Sequence, residues 1–233
     1  MTNRPTPGPT AVVFDLDGVL IESEHLWEEC WIRYAEHHGV TWTTEDTAHV
    51  QGMSAPEWSA YLADRAGGHD DPVTCERAVV DDMVDALRAG RMEPYDGAAA
   101  MVREVASRVP VALATSAPRR LVDAVLDRND LTSSFGATVS SAEVARGKPS
   151  PDVYLEAARR LDAEPERCLA VEDSSNGIRA AAAAGMTVVA IPNPTYPPKP
   201  DALSLAARLA DGVDAARREL VALLDDATEG AVR

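Results

Sequence analysis

Ten residues near the start, Ala11-Val12-Val13-Phe14-Asp15-Leu16-Asp17-Gly18-Val19-Leu20, constrain the fold more than any other stretch. An apolar run rich in β-branched residues stops at two aspartates and a glycine. Such a run reads as a strand of a parallel sheet, because strands covered on both faces are apolar throughout rather than alternating. Open α/β sheets bind ligands beyond the carboxyl ends of their strands, which is where the two carboxylates emerge. Asp15 and Asp17 lie two apart, so in extended backbone they point the same way. Like charges side by side are unfavourable unless a cation joins them, and hard oxygen ligands suit Mg²⁺. Gly18 permits a sharp exit from the strand. Taken alone, the stretch reads equally well as an Asp-x-Asp-Gly turn.

Beyond Leu20 the pattern changes. Apolar residues recur at helical spacing over Ser23–His38, and further helices are expected over Ala55–Ala66 and Pro72–Ala89. No strand signal falls between Ser23 and Met92, so the block is a helical insertion. It holds all four tryptophans, Trp27, Trp31, Trp42 and Trp58, whose plainest role is to fill a small helical core. From Tyr95 onward the expected elements alternate. Helices are expected at Ala98–Arg108, Pro118–Asn129, Ser150–Leu161 (with Ser150 as N-cap) and Asn176–Ala184. Strands are expected at Val111–Thr115, Gly136–Ser140, Cys168–Val171 and Met186–Ile191. A proline cluster from Pro192 to Pro200 ends the sheet region, and one or two helices fill Ala202–Leu224. Alternation of this kind means an α/β fold, a Rossmann-like parallel sheet with helices on both faces. The core then comprises 1–20 and 94–233, and an all-helical cap comprises 21–93. Residues 1–10, polar and proline-rich, read as a disordered tail, and the last residues as a frayed terminus.

A formal net charge of −16 argues against nucleic-acid or anionic-membrane surfaces, and obliges any phosphate site to bring its own cations. Three widely spaced cysteines, Cys30, Cys75 and Cys168, form neither a disulfide framework nor a zinc pattern, which suits a cytoplasmic protein. No apolar run is long enough to span a membrane, and a monomer is expected.

Polar groups stand at the ends of the expected strands: Asp15 and Asp17, then Thr115-Ser116, then Glu172-Asp173, with Gly147-Lys148-Pro149 in a connecting loop. Each has a plainer role as a helix cap or a solvated loop residue. A parallel sheet nevertheless brings all of them to one edge. Phosphoryl transfer needs such a convergence of nucleophile, metal, cation and oxygen-holding donors.

Phe14-Asp15-Leu16-Asp17-Gly18, Ala114-Thr115-Ser116, Gly147-Lys148-Pro149-Ser150-Pro151-Asp152 and Val171-Glu172-Asp173-Ser174-Ser175-Asn176-Gly177 resemble the four motifs of the haloacid dehalogenase-like superfamily. The resemblance is to its phosphatase and phosphomutase branch with a helical cap after the first motif, and it runs from Ala11 to Ile191. It implies a Mg²⁺-dependent phosphatase acting on a small phosphorylated metabolite such as a sugar phosphate. Asp15 would be the nucleophile that forms an aspartyl-phosphate, and Asp17 the general acid and base. Thr115 and the Ser116 amide would hold phosphoryl oxygens, with Lys148 neutralising them. Asp15, the Asp17 carbonyl and Asp173 would bind Mg²⁺, with Glu172 a ligand or its partner.

The loop Gln51-Gly52-Met53-Ser54-Ala55-Pro56 resembles the family's specificity loop, which makes Met53, Ser54 and the nearby Trp27 and Trp58 candidate substrate contacts. The β-phosphoglucomutases of the branch carry a histidine where this chain has Trp27 and a phosphate-gripping arginine where it has Ala55. Hydrolysis is therefore expected over the alternative, a hexose-phosphate mutase. Phosphonate cleavage wants a cap lysine, and none precedes Lys148. A phospho-receiver signalling module is the rival from another class, but it carries neither a helical insertion nor Asp-x-Asp-Gly.

Overall fold

The computed structural model describes residues 8–230, with side chains to Asp225. The expected tail therefore lies outside the described residues as far as residue 7, as do residues 231–233 of the expected frayed terminus. Residues 8–10 are not loose. The Arg167 guanidinium donates to the Gly8 carbonyl at 3.1 Å, and the Thr10 N–H donates to the Arg167 carbonyl at 2.8 Å.

The sheet begins with β1 (Ala11–Phe14). A two-residue strand, β2 (Ile21–Glu22), leads into the helical block: α1 (Glu24–His37), α2 (Thr44–Val50), α3 (Ala55–Arg65) and α4 (Pro72–Arg88). The chain leaves that block through β3 (Glu93–Pro94), which pairs antiparallel with β2, so the two linkers run side by side as a ribbon. Then follow α5 (Ala98–Ala106), β4 (Val111–Thr115), α6 (Arg119–Arg128), β5 (Ala137–Ser140), α7 (Asp152–Arg160), β6 (Cys168–Glu172) and α8 (Ser175–Ala183). The chain closes with β7 (Thr187–Ala190), α9 (Pro200–Leu203), β8 (Arg208–Leu209) and α10 (Val213–Gly230). The six-stranded sheet has the order β5-β4-β1-β6-β7-β8, and every pair in it is parallel.

The apolar run of β1 serves both faces. Val12 and Phe14 join the apolar cluster that holds Met101 of α5, Leu121 of α6 and Leu220 of α10. Ala11 and Val13 join the other, with Tyr154 of α7 and Ile178 of α8. The first cluster continues without a break through Leu16, Leu20 and Leu26 into the helical block. No helix among the described residues is long and apolar enough to cross a membrane.

Four local expectations change. First, β1 stops at Phe14, so Asp15 and Asp17 lie beyond the strand and the alternation of extended backbone does not orient them. A tight turn does so instead: the Leu16 carbonyl accepts from the N–H groups of Leu20 and Ile21, and Gly18 takes a left-handed φ of 73°. Second, α7 starts at Asp152 with Pro151 at its N-cap, because the Ser150 hydroxyl is spent on the Asp152 carboxylate at 2.6 Å. Third, the C-terminal stretch holds a strand, β8, between its helices. Fourth, α2 has no counterpart in the sequence reading.

That last helix is short and polar, and a capping box between Thr43 and Asp46 starts it. The buried Asp46 carboxylate accepts from the Thr43 N–H at 2.8 Å and the Arg65 Nε at 3.0 Å, and also from the Tyr61 hydroxyl. Burial would raise its pKa, but the Tyr61 and Arg65 donors outweigh burial and hold it below the usual range. Its stabilising effect is therefore present above the unfolded carboxylate value and is lost as the pH falls. Asp46→Asn, which removes the charge and turns a donor toward these donors, should lower stability in urea unfolding by about 1–3 kcal/mol at neutral pH.

Candidate active site

The carboxyl ends of β1, β4 and β6 are neighbours, because β1 lies between the other two. Asp15, Asp17, Ser116, Lys148 and Asp173 consequently line one cavity of about 590 Å³. Thr115 and Glu172 are fully buried at the same edge. Thr115 accepts the Ala117 N–H at 3.0 Å, which fixes its hydroxyl oxygen.

Lys148 organises the charges. Its buried ammonium stands 2.6 Å from Glu172 Oε1 and 3.0 Å from Asp15 Oδ1, the second contact being an ion pair without hydrogen-bond geometry. Two carboxylates raise its pKa although burial alone would lower it. Glu172 is fully engaged. Its Oε1 accepts from Lys148 and from the Tyr154 hydroxyl at 2.7 Å, and its Oε2 from the N–H groups of Asp173 at 3.0 Å and Ser174 at 3.2 Å. A Cβ at Gly177 would lie 1.7 Å from Glu172 Oε1, so only glycine lets α8 start over this carboxylate.

Asp17 is held from the helical block. The Ser23 hydroxyl and the Trp27 Nε1–H, the latter at 3.1 Å, both donate to its Oδ1. Burial raises its pKa, and those two donors oppose the rise. Asp173 accepts from Asn193 Nδ2 at 3.2 Å, and burial together with Glu172 and Asp15 pushes its pKa well up. A Cβ at Gly18 would meet Asp173 Oδ2 at 1.9 Å, so the Asp-x-Asp-Gly glycine is also a close-approach residue.

The donor set fits a hard cation. Asp15, Glu172 and Asp173 offer carboxylate oxygens within 4.8 Å of one another. With Asp17 these are four buried or near-buried carboxylates against one ammonium, an imbalance that a divalent cation would correct. Because Glu172 already satisfies Lys148, Tyr154 and α8, Asp15 and Asp173 are the carboxylates suited to ligation.

The remaining candidates divide. Trp27, Met53 and Trp58 line the cavity, whereas Ser54 is buried at the N-cap of α3, where its N–H (2.9 Å) and its hydroxyl (2.6 Å) both donate to the Glu57 carboxylate. The four tryptophans pack together, with Trp27–Trp31 centroids 5.9 Å apart and Trp27–Trp58 5.8 Å apart, and Trp31 joins Trp27 and Trp58 in the cavity wall. Trp27, Trp31 and Trp58 are core and wall at once, whereas Trp42 is core alone. His25 is exposed and pairs with Glu22. Ser23, Tyr154 and Asn193 are contributors that sequence reading did not single out. Of these only Ser23 carried a signal, as the polar residue ahead of a helix near the first motif.

Burial pushes Asp15 from the ordinary 3.8 up to about 7, against the pull of Lys148, with Glu172 and Asp17 adding to the rise. A carboxyl raised on folding favours the folded state most in acid, and that advantage is lost as the pH climbs toward about 7. A cation binds the ionised form and competes with the proton. The rise in unfolding midpoint produced by MgCl₂ should therefore be larger at about pH 8 than at about pH 6, and equal rises would count against a cation on Asp15.

Residues 9–185 match the family model for haloacid dehalogenase-like hydrolases. The phosphorylated carbohydrates phosphatase of Thermotoga maritima is 32% identical over 76% of this chain and 82% of its own. The validoxylamine A 7′-phosphate phosphatase of Streptomyces hygroscopicus subsp. limoneus is 33% identical over 77% of this chain and 84% of its own. The bifunctional riboflavin kinase/FMN phosphatase of Arabidopsis thaliana is 30% identical over 83% of this chain, which spans about half, 51%, of that longer protein. Among solved structures, CbbY from Rhodobacter sphaeroides in complex with phosphate superposes with a TM-score of 0.77 at 28% identity, over 93% of this chain and 99% of that one. A β-phosphoglucomutase from Clostridium difficile shares the fold, with a TM-score of 0.77 at 21% identity over 97% of this chain and 100% of that one. The chain thus belongs to the haloacid dehalogenase-like hydrolases, as a phosphoric monoester hydrolase.

Proposed function

We propose that the protein hydrolyses a small phosphomonoester, a sugar phosphate or similar metabolite, with Mg²⁺ and through an aspartyl-phosphate on Asp15. The observation that supports this reading best is Lys148 held between Asp15 and Glu172 at the edge of the cavity. Lys148 keeps Asp15 beside a fixed positive charge where phosphoryl oxygens would collect negative charge. Asp15 attacks phosphorus, the bond to the leaving alcohol breaks, and Asp17 supplies that alcohol with a proton. Asp17 then takes a proton from the water that attacks phosphorus, and the P–O bond of the acyl phosphate breaks to release phosphate and return the Asp15 carboxylate. Burial raises the pKa of Asp17, which favours its protonated form and suits a group that hands a proton to the leaving alcohol. Thr115 and the Ser116 N–H would hold phosphoryl oxygens. Asp15, Asp173 and the Asp17 carbonyl would hold Mg²⁺, which supplies charge neutralisation for the phosphoryl group. Glu172 serves by holding Lys148.

The helical block, 21–93, is read as a cap over a core of 1–20 and 94–233, hinged at the β2–β3 ribbon. Arg120 of α6 pairs with Asp81 of α4, and Gly52 faces Asn176 closely enough that an added Cβ would stand 3.1 Å from its amide, so this is a closed arrangement. The cap wall of Trp27, Trp31, Trp58 and Met53, with Glu24, Gln51 and Thr47 among the polar lining, suits a leaving group with apolar C–H faces and several hydroxyls. Trp27 in place of the mutase histidine bonds to Asp17, and Ala55 lies in the first turn of α3. Both support water rather than a second sugar hydroxyl as acceptor.

Phosphate release should be measured over sugar, polyol, glycolate and nucleoside monophosphates, with MgCl₂, with chelator, and with Asp15→Asn. Repeated turnover on sugar or polyol phosphates is expected, abolished by chelator and lowered at least about a thousandfold by Asp15→Asn. No release from any compound would overturn the reading, and isomerisation of a hexose 1-phosphate would replace it with the mutase.

A further inference from the structure

In sequence the proline-rich run after β7 does no more than end the sheet. In the fold it returns to the site. The Ile191 N–H donates to the Glu172 carbonyl at 2.8 Å, which starts the run beside the acidic cluster. Asn193, two residues on, is only 4% exposed. Its Oδ1 accepts from the N–H groups of Thr195 at 2.9 Å and Tyr196 at 3.1 Å. Two backbone donors on one side fix the amide: the oxygen must face them and the NH₂ must face away. The NH₂ meets Asp173 Oδ2 at 3.2 Å, the same oxygen that sits against the bare Cα of Gly18. Farther along, Thr195, Tyr196 and Pro197 line the cavity, and the Tyr196 hydroxyl stands 3.4 Å from Glu28 Oε2 of α1.

We propose that Asn193 is a positioning residue that sets the carboxylate of Asp173 for cation binding and, through its other face, shapes the loop that walls the substrate cavity. The proposal rests on the phosphatase reading for the identity of the cation. The reason is geometric. A carboxylate on a short side chain at a strand end can turn about its own torsions, and a ligand set loses affinity when one member wanders. Gly18 limits Asp173 on one side by contact and Asn193 limits it on the other by a donor. The same amide cannot move without releasing Thr195 and Tyr196, so the cation-side carboxylate and the substrate wall share one support.

Two substitutions separate these duties. Asn193→Ala removes both. Asn193→Ser keeps a hydroxyl that can accept from the loop N–H groups in a serine turn but is too short to reach Asp173. Mg²⁺ alone is titrated calorimetrically into the full, substrate-free chain, and the unfolding midpoint is recorded without metal. Asn193→Ser should keep the metal-free midpoint and the KM for p-nitrophenyl phosphate near those of the parent. It should weaken Mg²⁺ by about 10- to 100-fold, with turnover restored at high Mg²⁺. Asn193→Ala should weaken Mg²⁺ equally and raise KM as well. Parental Mg²⁺ affinity in Asn193→Ser, whatever its activity, would overturn the proposal. Weakened Mg²⁺ binding in a protein that hydrolyses nothing would uphold Asn193 and sink the phosphatase reading instead.

Discussion

The ammonium of Lys148 is the charge on which the catalytic edge depends. Asp15, Glu172 and Asp173 are buried within 4.8 Å of one another, and like charges so placed cannot all stay ionised without compensation. Lys148 meets two of them, and the rest of the local architecture supports that contact. Tyr154 reaches Glu172 from α7, and Asp173 and Ser174, the two residues that lead into α8, offer it their backbone N–H groups. Gly177 is the sequence condition for that approach, since any side chain there would occupy the carboxylate's place. Removing Lys148 would leave a buried carboxylate with neutral donors only, whereas removing Glu172 would free the lysine to swing. The pair acts as a unit.

The parallel sheet explains why groups so distant in sequence meet. With β1 between β4 and β6, the turn after β1 faces the ends of both neighbours. The core therefore supplies Asp15, Thr115, Ser116 and Asp173 from rigid strand ends. Asp17 differs. Its donors, Ser23 and Trp27, belong to the entry into α1, so the helical block takes part in setting the protonation of a core residue. A movement of α1 that took Ser23 and Trp27 away would remove the two donors that oppose the rise in the Asp17 pKa. On the proposed mechanism, the acid–base work of Asp17 and the position of the helical block would thus be linked through these hydrogen bonds.

What could be read from the sequence followed burial. The β1, β4 and β6 runs are legible because strands covered on both faces leave apolar stretches, and their polar ends are legible because nothing in a core wants Asp15 or Glu172. The α2 helix was not legible, since its seven residues are mostly polar and Thr43 with Asp46 starts it by capping rather than by periodicity. Nor were β2, β3 and β8, each two residues long and without room for a pattern. Asn193 was invisible for a different reason. Its role exists only once β7 is laid beside β6, and an asparagine between prolines reads as a turn. The orientation of Asp15 and Asp17 was foreseen from strand alternation, but a turn around the Leu16 carbonyl produces it.

The tryptophans show why core and specificity are not separate readings here. A small helical cap has little interior, so the large side chains that hold it together must also form its inner surface. Trp31 and Trp58 are buried against one another and against Trp27, yet all three border the cavity. Altering the wall to admit another leaving group therefore removes packing from the cap at the same step. Half-buried loop residues such as Gln51 escape this coupling, since they border the cavity without joining the indole stack. In a fold of this kind, specificity should vary most easily at the rim of the cap and in the loop around Asn193. The indole stack should change least, because there a gain in fit for one substrate costs cohesion in the lid itself.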